Sequence, residues 1–273
     1  MQNKILALAF ATAFVLTAAR AQHAGAVISY HPGVGVGVAY TDPTAALGEP
    51  SRVTPGQFGG PVDPFNPAYL GSQLVGVGSG GSLTVRFDTA VHNDPANVFG
   101  LDFQIFSSSF FVVTNATDAN FNYLGTPSTD GSVFGADGVA TRVSVSQDGQ
   151  TFFTLNPSLA PVVKNLFPTD GGGSFTLPVN PALKNLDFAG LTLDNLRTKY
   201  AGSGGGTGFD LAWAQDAQGQ SVTLGDINFV RVDVLGGKIE IDGFSAVSPV
   251  PEPATWALFS LGLGTLALLR RRR

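Results

Sequence analysis

Five acidic residues in loops or at strand ends are the side chains of this sequence whose type and setting best suit ligand chemistry. They are Asp42, Glu49, Asp102, Asp210 and Asp242. Calcium takes six to eight oxygen ligands from carboxylates and backbone carbonyls, so scattered acids in glycine-rich loops can assemble a site. No EF-hand pattern is present. The alternative is that these carboxylates are solvated or form turns, as aspartate often does.

Aromatic residues in loops are the second feature that suits a ligand. Tyr69 and Trp213 lie in segments rich in glycine, proline and polar residues. Ligand sites combine aromatic faces with a few convergent polar groups. We therefore predict ligand-binding roles for Tyr69 and Trp213, with sugars as the ligand class. Exposed aromatic residues that bind nothing are the alternative.

Several kinds of catalytic and cofactor site are disfavoured by the sequence. The chain has no cysteine, which excludes disulfides, thiolate metal sites and cysteine nucleophiles. Its three histidines show no H-E-x-x-H spacing, and no G-x-S-x-G occurs. "GVGSGG" at 76–81 matches a dinucleotide fingerprint in its letters, but a strand pattern follows it where that site needs a helix. We predict a protein that is not an enzyme and has no cofactor beyond a structural calcium.

Charge disfavours nucleic acid as a partner. The formal net charge is −5, but six basic residues lie in the two terminal segments. Without them, nine basic residues face twenty acidic ones. A body of net charge about −11 repels phosphate backbones, whereas divalent cations and neutral sugars remain compatible with it.

The N-terminal segment has the pattern of a secretory signal peptide. Lys4 precedes an apolar run over residues 5–16, and Ala19-Arg20-Ala21 fits the small-x-small cleavage rule. The apolar run is too short for a membrane span. We therefore predict a signal peptide with a signal helix over residues 1–21, and export of the chain.

The C-terminal segment has the pattern of a membrane span with a cytoplasmic stop. Residues 254–269 carry no charge and would make a helix about 24 Å long. Pro251, Glu252 and Pro253 precede this run, and Arg270, Arg271, Arg272 and Arg273 follow it. The arginines would stay cytoplasmic by the positive-inside rule, which leaves the body outside. We predict a transmembrane helix over 254–269.

This ordered arrangement resembles the PEP-CTERM sorting signal of Gram-negative bacteria over residues 250–273. The resemblance implies that an exosortase-type membrane enzyme reads Pro251, Glu252 and Pro253 and removes the tail. It also implies an inner-membrane intermediate, followed by the cell surface or the extracellular matrix. It describes a route and no activity.

The body, residues 27–249, has the pattern of an all-β domain. Alternating apolar residues in "VFGLDFQIF", "SLTVRFD" and "VATRVSVS" predict strands, and Asp148-Gly149 predicts a hairpin turn. "DINFVRVDVLGGKIEIDGFSAV" predicts a second hairpin that turns at Gly236-Gly237, and "VGVGVAY" predicts a strand. We predict a single antiparallel, jelly-roll-like β-sandwich with long glycine-rich loops.

Two stretches of this body resemble the discoidin-like, galactose-binding jelly roll, namely 142–155 and 227–247. The resemblance implies a structural calcium near the first loop, which would place it at Asp42 and Glu49. It also implies polysaccharide as a partner. Three functions follow from the sequence: a non-enzymatic surface or matrix protein, a lectin of the exopolysaccharide layer, or a secreted hydrolase with paired carboxylates.

Overall fold

The computed structural model describes residues 22–57, 59–119, 122–135, 138–164 and 167–248, and these residues form a mainly β fold with antiparallel sheets. The strands are β1 (Ala24–His31), β2 (Val53–Thr54), β3 (Gly60–Pro61), β4 (Val75–Gly78), β5 (Ser82–His92), β6 (Phe103–Ser107), β7 (Phe110–Val113), β8 (Thr129–Phe134), β9 (Ala140–Ser146), β10 (Phe153–Leu155), β11 (Thr207–Phe209), β12 (Ala214–Gln215), β13 (Asp226–Gly236) and β14 (Lys238–Ala246). The predicted all-β class is confirmed.

Two larger sheets contain most of these strands. One has six strands in the order β1-β5-β13-β9-β10-β12, and the other has four in the order β11-β6-β14-β4. Each neighbouring pair in both sheets is antiparallel. Buried apolar residues alternate along β5, β9 and β13 of the six-stranded sheet, whereas every residue of β4 and β6 in the four-stranded sheet is buried.

One hydrophobic cluster joins the apolar faces of the two larger sheets. From the six-stranded sheet come residues such as Val85, Val143 and Val232, and from the four-stranded sheet residues such as Ile105 and Ile239, all with 3% exposure or less. Burial of these side chains is the main force that holds the sheets together.

The predicted hairpin over "DINFVRVDVLGGKIEIDGFSAV" is wrong in its pairing. β13 pairs with β5 and β9, whereas β14 pairs with β6 and β4. The chain therefore crosses from one sheet to the other at Gly236-Gly237 instead of folding back within a sheet. Gly237 has φ +71°, and a Cβ there would lie 2.8 Å from the carbonyl oxygen of Gly138. Apolar alternation is the same in a hairpin and in such a crossing, so the sequence does not separate them.

The predicted hairpin at Asp148-Gly149 is confirmed, because β9 and β10 pair antiparallel on either side of it. The Asp148 carboxylate accepts hydrogen bonds from the backbone N–H of Gln150 and of Thr151, which lowers its pKa to about 2. Side-chain acceptance of this kind is why aspartate favours turns.

The strand predicted over "VGVGVAY" is wrong. Val34 makes an isolated bridge to Ser79, and the chain then forms a 3₁₀ turn at Val38–Tyr40. Glycines at alternate positions allow close packing but supply few side chains for a sheet face. This segment instead covers β4, and Val36 lies where a Cβ on Gly76 would stand.

A second, smaller apolar cluster lies beside the two sheets. It contains Phe111, Phe167, Phe188 and Tyr200, and it packs under helix α1 (Leu193–Tyr200) and the two-stranded ribbon of β7 and β8. Another ribbon pairs β2 with β3. Helix α1 lies at the end of the stretch "PALKNLDFAGLTLDNLRTKY".

The first and last described residues lie close together. The N–H of Ala246 donates to the carbonyl oxygen of Gln22 at 2.9 Å, and His23 forms an isolated antiparallel β-bridge with Ser245. Both segments with the patterns of sorting signals therefore adjoin the same end of β14. The predicted signal peptide and the run 254–269 lie outside the described residues. Among the described residues, no helix has the length and apolar character to cross a membrane.

A buried carboxylate ties together three segments near this end. Asp102 Oδ1 accepts from Asp94 N and from Asn97 Nδ2, each at 3.0 Å, and its Oδ2 accepts from Leu211 N at 2.9 Å. We expect Asp102→Asn to lower the free energy of unfolding by about 3 kcal/mol, because an amide offers one acceptor oxygen where two are used. Urea denaturation measures this change.

Asp88→Asn is the matched control, because Asp88 is 69% exposed and makes a surface pair with Arg86. Its effect should stay within about 0.5 kcal/mol. Equal effects of the two substitutions would show that Asp102 does not organise these loops.

Candidate functional site

A cleft of about 760 Å³, here called the aromatic groove, offers space for a ligand. It lies where β14 begins, at the end of the four-stranded sheet opposite Gln22. The groove is lined by Val34, Gly35, Tyr40, Pro67, Ala68, Tyr69, Leu74, Ser108, Phe110, Phe134, Gly135, Val139, Lys164, Gly237, Lys238 and Glu240. Its size falls within the range of pockets that bury small ligands.

Two stacked aromatic rings line one part of the groove. Phe110 on β7 and Phe134 on β8 stack with their ring centroids 4.9 Å apart and an interplanar angle of 28°. Phe134 is 61% exposed although it sits on a strand. A phenylalanine left this open on a paired strand offers a flat apolar face to a ligand.

Two tyrosines form another part of the groove. The Tyr40 hydroxyl donates to the carbonyl oxygen of Tyr69 at 2.7 Å, which fixes one loop against the other. Tyr69 is 36% exposed and lines the groove. The backbone contact does not involve the Tyr69 side chain, so that ring remains available to a ligand.

A buried ion pair lies at the polar side of the groove. Lys164 Nζ bonds Glu240 Oε2, and their side chains are only 7% and 13% exposed. Ser108 Oγ donates to the same carboxylate oxygen at 3.1 Å, and Lys238 Nζ lies 3.3 Å from Glu240 Oε1. Removing either charge of such a pair leaves the other desolvated and unpaired.

The charge of Glu240 is held by its neighbours. Burial acts to raise its pKa, but the Lys164 ammonium, helped by Lys238, outweighs burial, and the pKa lies below its ordinary value. Gly135 closes over Lys164 with φ +80°, and a Cβ there would lie 2.9 Å from Lys164 Cε. A glycine at this position therefore leaves room for the lysine beside the groove.

The groove offers two kinds of contact to one ligand. Rings of Tyr69, Phe110 and Phe134 offer flat apolar faces, and the Lys164–Glu240 pair with Ser108 and Lys238 offers a row of donors and acceptors. A ligand with an apolar face and several hydroxyls fits both.

The structure separates the two aromatic residues that the sequence singled out. Tyr69 lines the groove, whereas Trp213 is half-buried in the 3₁₀ turn Leu211–Trp213 and packs against the main core. Their ligand roles stay predictions, and the geometry favours Tyr69.

The acidic residues expected near a calcium ion have other partners. The Asp42 side chain accepts from Thr44 N and Thr44 Oγ1, at 2.9 and 2.7 Å, and Glu49 Oε1 pairs with Arg52 at 2.7 Å. Asp210 caps the 3₁₀ turn Leu211–Trp213. Within the described ranges, no group of three or more His, Cys, Asp or Glu side chains could hold a metal ion. Calcium at Asp42 and Glu49 stays a prediction.

Asp242 lies two residues beyond Glu240 on β14 and is 3% exposed. Its Oδ2 accepts from Ser51 N at 2.9 Å, and its Oδ1 from Ser51 Oγ at 2.7 Å. Burial raises the pKa of Asp242 to about 6, and the bonds to Ser51 only partly offset that rise.

Sequence reasoning missed Lys164 and Glu240. Alternation on β14 points Ile239 and Ile241 to the core, so the pattern alone directs Glu240 toward solvent. The segment that carries Lys164 covers that outer face and buries it. A signal existed, because Lys164 is a lone charge in the apolar stretch "PVVKNLF".

Comparison with protein families gives a match at the C-terminal end of the chain. The model of the PEP-CTERM protein-sorting motif matches residues 249–273. A comparison with curated proteins gave no match to the chain. The sorting signal predicted from Pro251, Glu252, Pro253 and Arg270 to Arg273 is confirmed as a motif, although these residues lie outside the described ones. The chain is an exported protein that exosortase, a membrane enzyme, sorts toward the cell surface.

The buried ion pair gives a prediction for stability. Glu240→Gln should lower the free energy of unfolding by about 3–5 kcal/mol, because it leaves the Lys164 ammonium buried without its carboxylate. The double variant Lys164→Met/Glu240→Gln should recover a large part of that loss, because no charge is then left unpaired. Urea denaturation of the wild type, the single variants Glu240→Gln and Lys164→Met, and the double variant checks both statements. If the double variant loses as much as the sum of the two single variants, the pair is not coupled.

Asp242 gives a prediction for pH dependence. Its folded pKa, about 6, lies above its unfolded value, so the folded state binds more protons between about pH 4 and 6. Stability contributed by this group therefore falls as pH rises through that window and is constant above it. The full change is roughly 3 kcal/mol, because each tenfold difference in proton affinity between the folded and unfolded states is worth about 1.4 kcal/mol.

Denaturation of the wild type and Asp242→Asn at a series of pH values isolates this contribution. Between pH 4 and pH 7 the wild type should lose most of that stability relative to Asp242→Asn. A difference that is flat with pH would mean that Asp242 titrates at its ordinary pKa.

Proposed function

We propose that this chain is a non-enzymatic component of the cell surface or extracellular matrix of a Gram-negative bacterium. The signal peptide at 1–21 starts its export, and the helix at 254–269 holds it briefly in the inner membrane. Exosortase then reads Pro251, Glu252 and Pro253 and releases the β-domain. The single observation that carries this proposal is the sorting motif at residues 249–273.

The position of the chain ends supports this route. Ala246 bonds Gln22, and Ser248 is held by Thr176 through its N–H at 3.1 Å. Both processing segments therefore leave the domain from one end, and one membrane surface can receive them together. The domain at 27–249 need not open for either segment to be cut.

The non-enzymatic role is supported by what the acidic side chains do. Asp102, Asp242 and Asp148 each accept two or more hydrogen bonds from nearby backbone or side-chain donors. Among the described residues that line the aromatic groove, Glu240 is the single carboxylate. A glycosidase uses two carboxylates at a set separation. These observations favour a binding or structural role over a secreted hydrolase.

We infer that the two larger sheets pack as one jelly-roll-like β-sandwich around their shared hydrophobic cluster. Aligned face-to-face packing of two antiparallel sheets is the usual arrangement for such a cluster. The resemblance of this sandwich to discoidin-like domains stays a prediction.

A lectin is the second candidate function, and the aromatic groove is the observation that favours it. Exposed rings beside a row of hydrogen-bonding groups suit a polysaccharide of the extracellular layer. The two functions are compatible, because a matrix protein that is held in place by binding polysaccharide is both a matrix component and a lectin.

Processing gives a direct test of the route. We expect the protein recovered from the cell surface to lack Arg270 to Arg273 by intact mass, because exosortase removes the tail. Glu252→Ala should abolish this trimming and leave the full-length form in the inner-membrane fraction. Fractionation followed by mass spectrometry measures both.

Asp88→Ala is the control, because it removes an exposed carboxylate far from the motif along the chain. It should be trimmed like the wild type. Recovery of untrimmed wild-type protein from the cytosol would contradict the proposed route.

A further inference from the structure

We propose that the aromatic groove is a binding site for a neutral pyranose segment of an extracellular polysaccharide. This inference rests on the proposed function, because it needs the groove to lie outside the cell. It goes further by assigning the site, the ligand chemistry and the residues that make the contacts.

The apolar half of the groove matches the C–H face of a pyranose ring. Phe134 is 61% exposed and stacks on Phe110, so the ribbon of β7 and β8 holds the ring in place before any ligand arrives. Tyr69 adds another ring to the lining. Rigid aromatic faces lose little conformational entropy on binding, which favours them as ligand platforms.

The polar half matches hydroxyl groups and disfavours a purely apolar ligand. Glu240 can only accept hydrogen bonds, Lys238 can only donate, and the Ser108 hydroxyl can do both. Lys238 is 56% exposed in its side chain and lies 3.3 Å from Glu240, so it can turn toward a ligand. An acyl chain would remove water from these charged groups and offer no hydrogen bonds in its place, which costs free energy. Sugar hydroxyls both donate and accept hydrogen bonds, so they can pair with Glu240, Lys238 and Ser108.

The domain's charge favours a neutral chain over a polyanion. Among residues 22–248, nineteen acidic residues outnumber nine basic ones. Long acidic polymers would meet this field outside the groove, although salt screens it over about 8 Å. A neutral segment avoids that repulsion and keeps the contacts in the groove.

The position of the groove favours an extracellular ligand over the membrane itself. Lys238 at the groove begins β14, and Ala246, which contacts Gln22, ends it. Eight steps of strand at roughly 3.3 Å each separate the two ends by about 26 Å. The groove therefore faces away from the end that leads into the sorting motif.

Binding of neutral trisaccharides of glucose, galactose and mannose tests the inference. The full chain in detergent and its surface-released form serve as the protein, with saturation-transfer NMR and calorimetry as readouts. We expect at least one trisaccharide to bind, with magnetisation passing from aromatic protons to sugar C–H protons. Phe134→Ala and Tyr69→Ala should each weaken that binding at least tenfold.

Tyr123→Ala is the matched control, because Tyr123 is 48% exposed and lies outside the groove. It should bind like the wild type, and all variants should melt within a few degrees of it. Ser108→Ala gives a second check, because it removes a hydrogen-bonding hydroxyl and leaves the rings in place. It should weaken binding and keep the magnetisation transfer.

Three results would overturn the inference. Sugar binding that Phe134→Ala and Tyr69→Ala leave unchanged would place the site elsewhere and leave a lectin function standing. No binding of any of these trisaccharides by correctly trimmed surface protein would remove the groove as a sugar site and leave the sorting route intact. Binding of octanoate in the groove without any sugar binding would assign it to apolar ligands.

Discussion

Strand β14 is the element on which the rest of the domain depends. It lies between β6 and β4 in the four-stranded sheet, and its inward residues Ile239, Ile241 and Phe244 enter the core shared by both sheets. Its outward face is also covered, by Lys164 at Glu240 and by Ser51 at Asp242. A strand buried on both faces must place its polar groups against specific partners, so its register fixes the groove at one end and the chain termini at the other.

This constraint explains why two carboxylates on one strand behave differently. Glu240 has two ammonium groups within reach, and its pKa is lowered. Asp242 has hydroxyl and amide donors, and burial raises its pKa to about 6. Charge partners rather than burial alone decide the direction of each shift. A charged Glu240 then supplies a fixed acceptor on the polar side of the groove.

Much of this organisation follows from the sequence, and the remainder has physical reasons. Period-two patterns predict the strands around Val85, Val143 and Ile239 because one face of each must be buried. They do not say which strands pair, so the same pattern predicts a hairpin where the chain crosses between sheets at Gly236-Gly237. The loop setting of Tyr69 predicts a ligand residue, whereas Phe134 lies on a strand and gives no such signal.

The same limit applies to the ion pair and to the termini. Lys164 and Glu240 are 76 residues apart, and local patterning carries no information about a contact over that separation. The sorting motif is different, because three ordered parts at adjacent positions define it without any folded context. A sorting signal can therefore be predicted from sequence more directly than a binding groove can.

The central claim is that the domain is tethered at one end and presents its groove at the other. The chain has no cysteine, so single cysteines can carry a fluorescent donor at chosen sites. Val38→Cys places it near the groove, where Val38 is 91% exposed, and Thr89→Cys places it at an exposed site beside Gln22. The full chain in vesicles with acceptor-labelled headgroups should show weaker energy transfer from position 38 than from position 89. Equal or stronger transfer from position 38 would contradict the account.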